Sequence, residues 1–434
     1  MLIIYCDKKS VRLEYICKLI FIDVLGAEIS FTTDKNDFLK STFVKINYSK
    51  EKISQDELFF FSDEFLFENK IRKYTPEVIK FEDLPVIFPN QNQDSVFPFD
   101  PFAMSFYFVS RYEEYFMDDK KDKHGRVKAE ACLAFKAGIH HRPVINILAD
   151  KIKLLIENKN PTFVLPEKEY KFIPTYDIDI AFAHIGKGLL RSIGGFGKLV
   201  IRLKIKEFFE RIMTLAGIIT DPYNNFDQLI EQQKKYNLKS LFFVNLGDYG
   251  TYDKNISYRN KRLQKLLKKL YNEVEIGIHP SYNSNKNPEK VKIEKERLEV
   301  ILNTEVVKSR QHFLILSFPE TYENLIKIGV TDDYSMGFGS QMGFRAGICN
   351  SYNFYNLIED KETSLRIHPF AFMDTMFEEY LRLNPTQIFE YVKPLIEETK
   401  KYKGELFAIW HNYSLSNNKE KLHLYKEIIK LANE

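Results

Sequence analysis

From about residue 170 onward the chain repeats one pattern, a short apolar run followed by a stretch with helical spacing. Apolar runs at 173–180, 238–245, 273–279, 306–313, 365–369 and 405–411 read as strands. Between and after them, 259–271, 288–302, 319–328, 385–400 and 417–433 carry apolar residues at helical spacing. Strands alternating with helices predict parallel strands with helices outside, hence a barrel-like α/β domain. In such domains function collects at the carboxyl ends of the strands. The first part of the chain lacks this alternation. It opens with a strand-like run at 2–6, continues through short apolar runs at 43–46 and 57–61, and reaches a dense aromatic run at 97–108 interrupted by Pro98 and Pro101. That part is expected to be α+β. A Pro-containing polar stretch around 158–169 sets the expected boundary, giving domains 1–165 and 166–434.

Length supports two domains, since 434 residues exceed one typical domain. The 63 basic and 60 acidic residues nearly cancel to +3, which gives no electrostatic argument for nucleic acid. Cys6, Cys17, Cys132 and Cys349 are scattered without a CxxC pair, so they read as reduced structural thiols. Residues 1–7 show no basic region leading into a long apolar stretch, and no run reaches about 18 apolar residues. A cytoplasmic location is the expectation. Phe and Tyr number 37 and 25, a supply suited to aromatic cores and usable in a sugar-binding cleft.

One segment departs from the alternation. From Ile180 to Lys206 there is no acidic residue, while Lys187, Arg191, Lys198, Arg202, Lys204 and Lys206 interleave with Leu, Ile, Val and Phe. Its glycines match neither the P-loop nor the dinucleotide spacing. The stretch reads as an insertion after the first strand. It is either a lid or packing helix with a solvated basic edge, or, over 186–206, a peripheral contact with an anionic membrane or pyrophosphate-linked glycolipid.

Candidate chemistry sits at the ends of the apolar runs. The run at 173–180 ends in Asp177 and Asp179, which alternation places on one side of a strand. Two carboxylates there need compensation by a metal, an arginine or a proton. Later runs end in His279, with Asn283 four residues on, in Arg310 with His312, in His368, and in His411 after Trp410. Each alone is more often a hydrogen-bonded structural residue or a cap. Together they offer the carboxylate and imidazoles that a catalytic divalent metal needs. Elsewhere, Arg111, Glu113 and Glu114 read as a salt-bridged face packing one domain on the other. Asp122, His124 and Arg126 read as a charged surface turn, and His140 and His141 as structural.

Taken in order, these motifs resemble the polysaccharide deacetylases (NodB homology, carbohydrate esterase family 4) over roughly residues 170 to 415. Thr175-Tyr176-Asp177-Ile178-Asp179 is similar to the family's first motif, His279-Pro280-Ser281-Tyr282-Asn283 to its second, Ser309-Arg310-Gln311-His312-Phe313 to its third, and Phe407-Ala408-Ile409-Trp410-His411-Asn412 to its last. The resemblance implies a distorted (β/α) barrel preceded by a smaller α+β accessory domain. It implies Asp177 as base, Arg310 as the group that positions it, and His411 as general acid. It implies a divalent metal, most often zinc with cobalt or nickel open, held by Asp179, His279 and Asn283 or His312. Tyr282, His368 and Trp410 would line the carbohydrate. Here the two carboxylates are spaced by one residue where the family has them adjacent, and Asn283 stands where a second histidine is expected. The function implied is removal of N-acetyl groups from a saccharide, nucleotide-linked, lipid-linked or free, in making a surface polysaccharide. The other reading is an inactive carbohydrate-binding or scaffolding protein of the same fold.

Overall fold

Residues 2–61 build a four-stranded sheet whose strands all run parallel. β1 (Leu2–Cys6), β2 (Ile29–Thr32), β3 (Val44–Ser49) and β4 (Leu58–Phe61) stand in the order β2-β1-β3-β4. The computed structural model describes residues 1–201, 203–416 and 418–434, and the side chains of 189, 190, 192, 198 and 200 lie outside what is described. The α+β expectation for this part is corrected, because the strands are parallel and joined by crossovers: helix Val11–Cys17 lies in the link from β1 to its neighbour β2, and Lys35–Lys40 in the link from β2 past β1 to β3. Antiparallel pairing in residues 2–161 is confined, among the described strands, to the hairpin of β5 (Val78–Phe81) and β6 (Leu84–Ile87). Pro101 of the aromatic run begins a helix instead of breaking one, while Pro98 lies in the bend before it. Pro101 takes the first turn of helix Pro101–Val109, and Asp100 caps it by accepting the Phe102 and Ala103 N–H groups.

The second sheet has nine strands. β7 (Lys171–Ile178), β8 (Leu241–Val244), β9 (Glu275–Ile278), β10 (Lys308–Ser309), β11 (Asp332–Asp333), β12 (Tyr352–Asn356), β13 (Lys361–Ile367), β14 (Phe370–Met373) and β15 (Glu405–His411) are ordered β12-β13-β11-β10-β9-β8-β7-β15-β14. Only the β12–β13 pair is antiparallel. Among the described residues the hydrogen-bonded order runs from β12 to β14, and the fold is a mixed α/β array with a mainly parallel sheet. The predicted strand 306–313 shrinks to two residues because the chain turns after Arg310, with φ positive at Phe313 and Leu314.

The two sheets share one apolar core that runs from Leu2 to Ala432. Polar contacts join them as well. The Glu114 carboxylate lies between Arg111 (Nε, 2.9 Å) and Arg345 (Nη2, 2.5 Å), all three buried, which is the packing role expected of that charged face. Arg12 pairs with Asp360 at 2.8 Å, and Tyr15 donates to the carbonyl of Asn353.

Register fixes where the chemistry falls. Ile178, Val244, Ile278 and Ser309 are level across four adjacent strands, so Asp179, His279 and Arg310 each leave the sheet one residue later on the same side. On the other flank of β7, Asp177 is paired with His411. The close approach in between depends on Gly277, the register partner of Phe243, since a Cβ there would fall 2.7 Å from both the Phe243 ring and the Lys308 carbonyl. The Phe243 ring in turn lies 4.5 Å beneath the Arg310 guanidinium.

Candidate metal and active site

Arg310 is fully buried and spans two strands. Its Nη1 donates to Asp177 Oδ1 (2.9 Å) and Thr175 Oγ1 (2.7 Å), and its Nε to the carbonyl of Tyr334 (3.0 Å). These contacts leave Asp177 Oδ2 turned toward the cleft, 3.8 Å from His279 Nε2.

Asp179 is the centre of three imidazoles. Its Oδ1 lies 3.2 Å from His279 Nε2, and its Oδ2 lies 3.6 Å from both His312 Nε2 and His411 Nε2. Every one of these rings is held from behind through Nδ1. The His279 Nδ1 is 2.6 Å from the carbonyl of Arg310, that of His312 is 2.9 Å from Asp253, and that of His411 is 2.6 Å from Asp374. A carbonyl oxygen can only accept, so Nδ1 of His279 donates to it and Nε2 is the nitrogen turned to the Asp179 carboxylate. Among the described residues Asp179 Oδ1 is buried with no hydrogen-bond partner. A buried carboxylate oxygen without a partner, with imidazole Nε2 atoms turned to it, is an arrangement that a cation would complete.

Ligand atoms of Asp179, His279 and His312 lie within 4.8 Å of one another, so this donor set fits a divalent metal with an open position. Burial pushes the Asp179 carboxyl up, but His312 and His411 together hold it well below the usual carboxylate range. Burial lowers the His411 imidazole, yet Asp374 and Asp179 outweigh it and raise it to about 10. For His312 the same opposition, burial against Asp179 and Asp253, ends at about 9.

Several expected site residues lie elsewhere. Asn283 is exposed on a 3-10 turn, its side chain against Gly250, while His312 is grouped with Asp179 and His279. Trp410 is buried against Tyr425 and Phe372, because alternation on β15 turns it to the face opposite His411. His368 bonds Asp332 (2.8 Å) and Ser351 (2.7 Å) and stacks on Tyr334, outside the cleft. Tyr282 joins an aromatic wall with Tyr252, His124 and Phe313, and Phe313 lines the cleft.

Other residues were not assigned to the site from the sequence. Asp253, in the loop after β8, and Asp374, directly after β14, are the carboxylates behind His312 and His411. Asp374 also accepts the His411 backbone N–H and the Ser414 hydroxyl. Asp374 follows directly on a strand, the signal that marked His279, whereas Asp253 lies in the loop well beyond the end of β8. The segment read as a charged surface turn instead sends Arg126 into the cleft from the N-terminal part of the chain. Arg126 is 7% exposed, pairs with Asp122 (2.7 Å), and donates to Tyr380 Oη (2.8 Å) and the carbonyl of Phe313 (3.4 Å). No local sequence signal marks this long-range contact.

Comparison with known proteins gives a family match and structural likenesses. A family of unknown function (DUF7033) matches residues 2–161. A search of the curated proteins finds no match. Among solved structures, the chain is similar to a putative polysaccharide deacetylase from Mycobacterium smegmatis at 13% identity, covering 62% of this chain and 86% of that one, with a TM-score of 0.40. It is similar to a probable polysaccharide deacetylase from Pseudomonas aeruginosa PAO1 at 10% identity, covering 61% and 87%, with a TM-score of 0.39. A CE4 family pseudoenzyme from Bacillus anthracis is similar at 11% identity, covering 61% and 60%, with a TM-score of 0.28.

Proposed function

We propose that the protein is a metal-dependent hydrolase that removes N-acetyl groups from a carbohydrate, with a fold of the polysaccharide deacetylase kind. The observation that carries this reading is the convergence of Nε2 atoms of His279 and His312 on Asp179, each ring locked by an Nδ1 contact, with Asp177 and His411 beside them. Asp179, His279 and His312 would hold the cation. When bound, it supplies Lewis acidity toward a water and an amide carbonyl.

The chain's own groups provide the proton transfers. Asp177, oriented by Arg310, takes a proton from the attacking water at Oδ2. His411, its Nδ1 held by Asp374, delivers a proton from Nε2 to the departing amine. Acetate and an amino sugar result. The aromatic wall of Tyr252, Tyr282 and Phe313 suits the apolar face of a pyranose, and Arg126 with Tyr380 offers polar contacts at the rim. Nucleotide-linked and lipid-linked saccharides of surface polysaccharide synthesis are the substrates proposed.

The test is acetate release from N-acetylated saccharides by protein loaded with zinc, cobalt or nickel. Release that stops on chelation and returns with the metal is expected. Full metal loading without release from any acetylated sugar would favour the inactive carbohydrate-binding reading.

A further inference from the structure

The link between β7 and β8 carries a concentration of apolar surface that nothing among the described residues covers. Helices Gly188–Ile201 and Ile205–Leu215 lie in it. Of the 26 large hydrophobic side chains exposed among the described residues, ten fall between Ile193 and Ile219. The corner between the helices is the extreme case, with Ile201 and Leu203 each 83% exposed and Ile205 66% exposed. Lys204 and Lys206 are exposed in between, and Arg202, also basic, lies outside the described residues. Over 180–219 the chain has seven Lys and Arg against Glu207 and Glu210.

The two helices satisfy each other on one side only. Phe196 meets Phe208 at 5.3 Å, and the Arg211 guanidinium lies 4.9 Å over Phe196. Phe209 and Ile218, 56% and 70% exposed, remain on the outside. Exposed apolar surface of this density marks an interaction site. Its interleaving with lysines selects the occupant, because apolar side chains flanked by cations match the boundary of an anionic lipid layer. No helix among the described residues is long and apolar enough to cross a membrane, so the contact is with its surface.

Both feet of this hairpin are tied to the candidate active site. Asp221 accepts the N–H groups of Ala183, His184 and Ile185, which closes the base. Asn412, next to His411, donates from Nδ2 to the carbonyls of Ile180 and Tyr223, one on each side of the insertion. The apolar corner therefore stands on the end of the sheet that holds the cleft.

We propose that helices Gly188–Ile201 and Ile205–Leu215 dock the protein on an anionic membrane surface, with the corner at Leu203 and Ile205 seated in the headgroup region. The corollary, that the hydrolysed saccharide is lipid-linked and reaches the cleft from that surface, rests on the hydrolase reading. Docking itself does not.

Flotation of the full-length protein with lipid vesicles tests docking without any catalytic readout. The protein is expected to float with phosphatidylcholine vesicles containing phosphatidylglycerol, much less with phosphatidylcholine alone, and less at high salt. Leu203→Asp with Ile205→Asp is expected to lower the floated fraction about tenfold or more, with far-UV circular dichroism unchanged. Failure to float with either vesicle would overturn the proposal, as would undiminished flotation of the double variant. A dimer in sedimentation that the double variant dissociates, without vesicle binding, would assign the surface to a second copy and overturn it too.

Discussion

Asp177→Asn is expected to lower kcat for acetate release by about 10²–10⁴-fold while the protein keeps its bound cation, the range that a positioned general base contributes. An amide keeps the size of the carboxylate and its contact with Arg310 Nη1, but it cannot accept a proton at the atom facing the cleft. The substitution therefore separates proton transfer from metal binding. Asp179→Ala is expected to lose both, because Asp179 contributes the carboxylate on which His279, His312 and His411 converge. Elemental analysis and initial rates on the same preparations check the contrast. Asp177→Asn with full activity would remove Asp177 from the role of base. The variant also leaves a buried guanidinium without its counter-charge, so its circular dichroism must match the parent's before the rate is interpreted.

Glu114→Ala is expected to be the most destabilising single change away from the site, by about 3–5 kcal/mol, the cost of removing one partner from a buried ion pair. It leaves Arg345 and Arg111 buried with no carboxylate between them except Glu113, which is 3.5 Å from Arg111. The shift of the urea midpoint measures the loss. A linked acid dependence follows from the same group. Burial raises the Glu114 carboxyl, but Arg345 and Arg111 outweigh burial and hold it at about 2, below its usual 4.5. A folded-state value below the unfolded one means that the stabilisation is present above pH 4.5 and fades as pH falls from 4.5 toward 2. That difference corresponds to about 3 kcal/mol. In the variant this part of the acid sensitivity should vanish. A urea midpoint within error of the parent's would show that the Glu114 ion pairs add nothing to the hold between the two parts of the chain.

The parts of this molecule that follow strand periodicity were legible from the chain. Asp179, His279 and Arg310 each follow an apolar run, and the register of the sheet brings them to one level for that reason. Periodicity also supplied the corrections, since Trp410 next to His411 has to face the other way on β15. Asn283 was assigned from its distance along the chain to His279, and a 3-10 turn carries it outward instead. Asp253 and Arg126 arrive from loops whose paths depend on tertiary contacts, among them the Asp253 carboxylate accepting the Tyr282 N–H. The two-residue strands β10 and β11 hold too few residues for any period to show. In the first sheet, short apolar runs were visible but not their direction, because crossover helices as brief as Lys35–Lys40 leave little helical pattern.

The most direct measurement is the metal content of the purified protein after equilibration with zinc, cobalt or nickel, beside His312→Ala and Asn283→Ala. Close to one cation per chain is expected for the parent and for Asn283→Ala, with a large loss in His312→Ala, beyond the ~10–100-fold in affinity that removing an outer partner costs. A parent chain that binds no divalent cation, or one whose cation depends on Asn283 and not on His312, would contradict the assignment of Asp179, His279 and His312 as a metal centre.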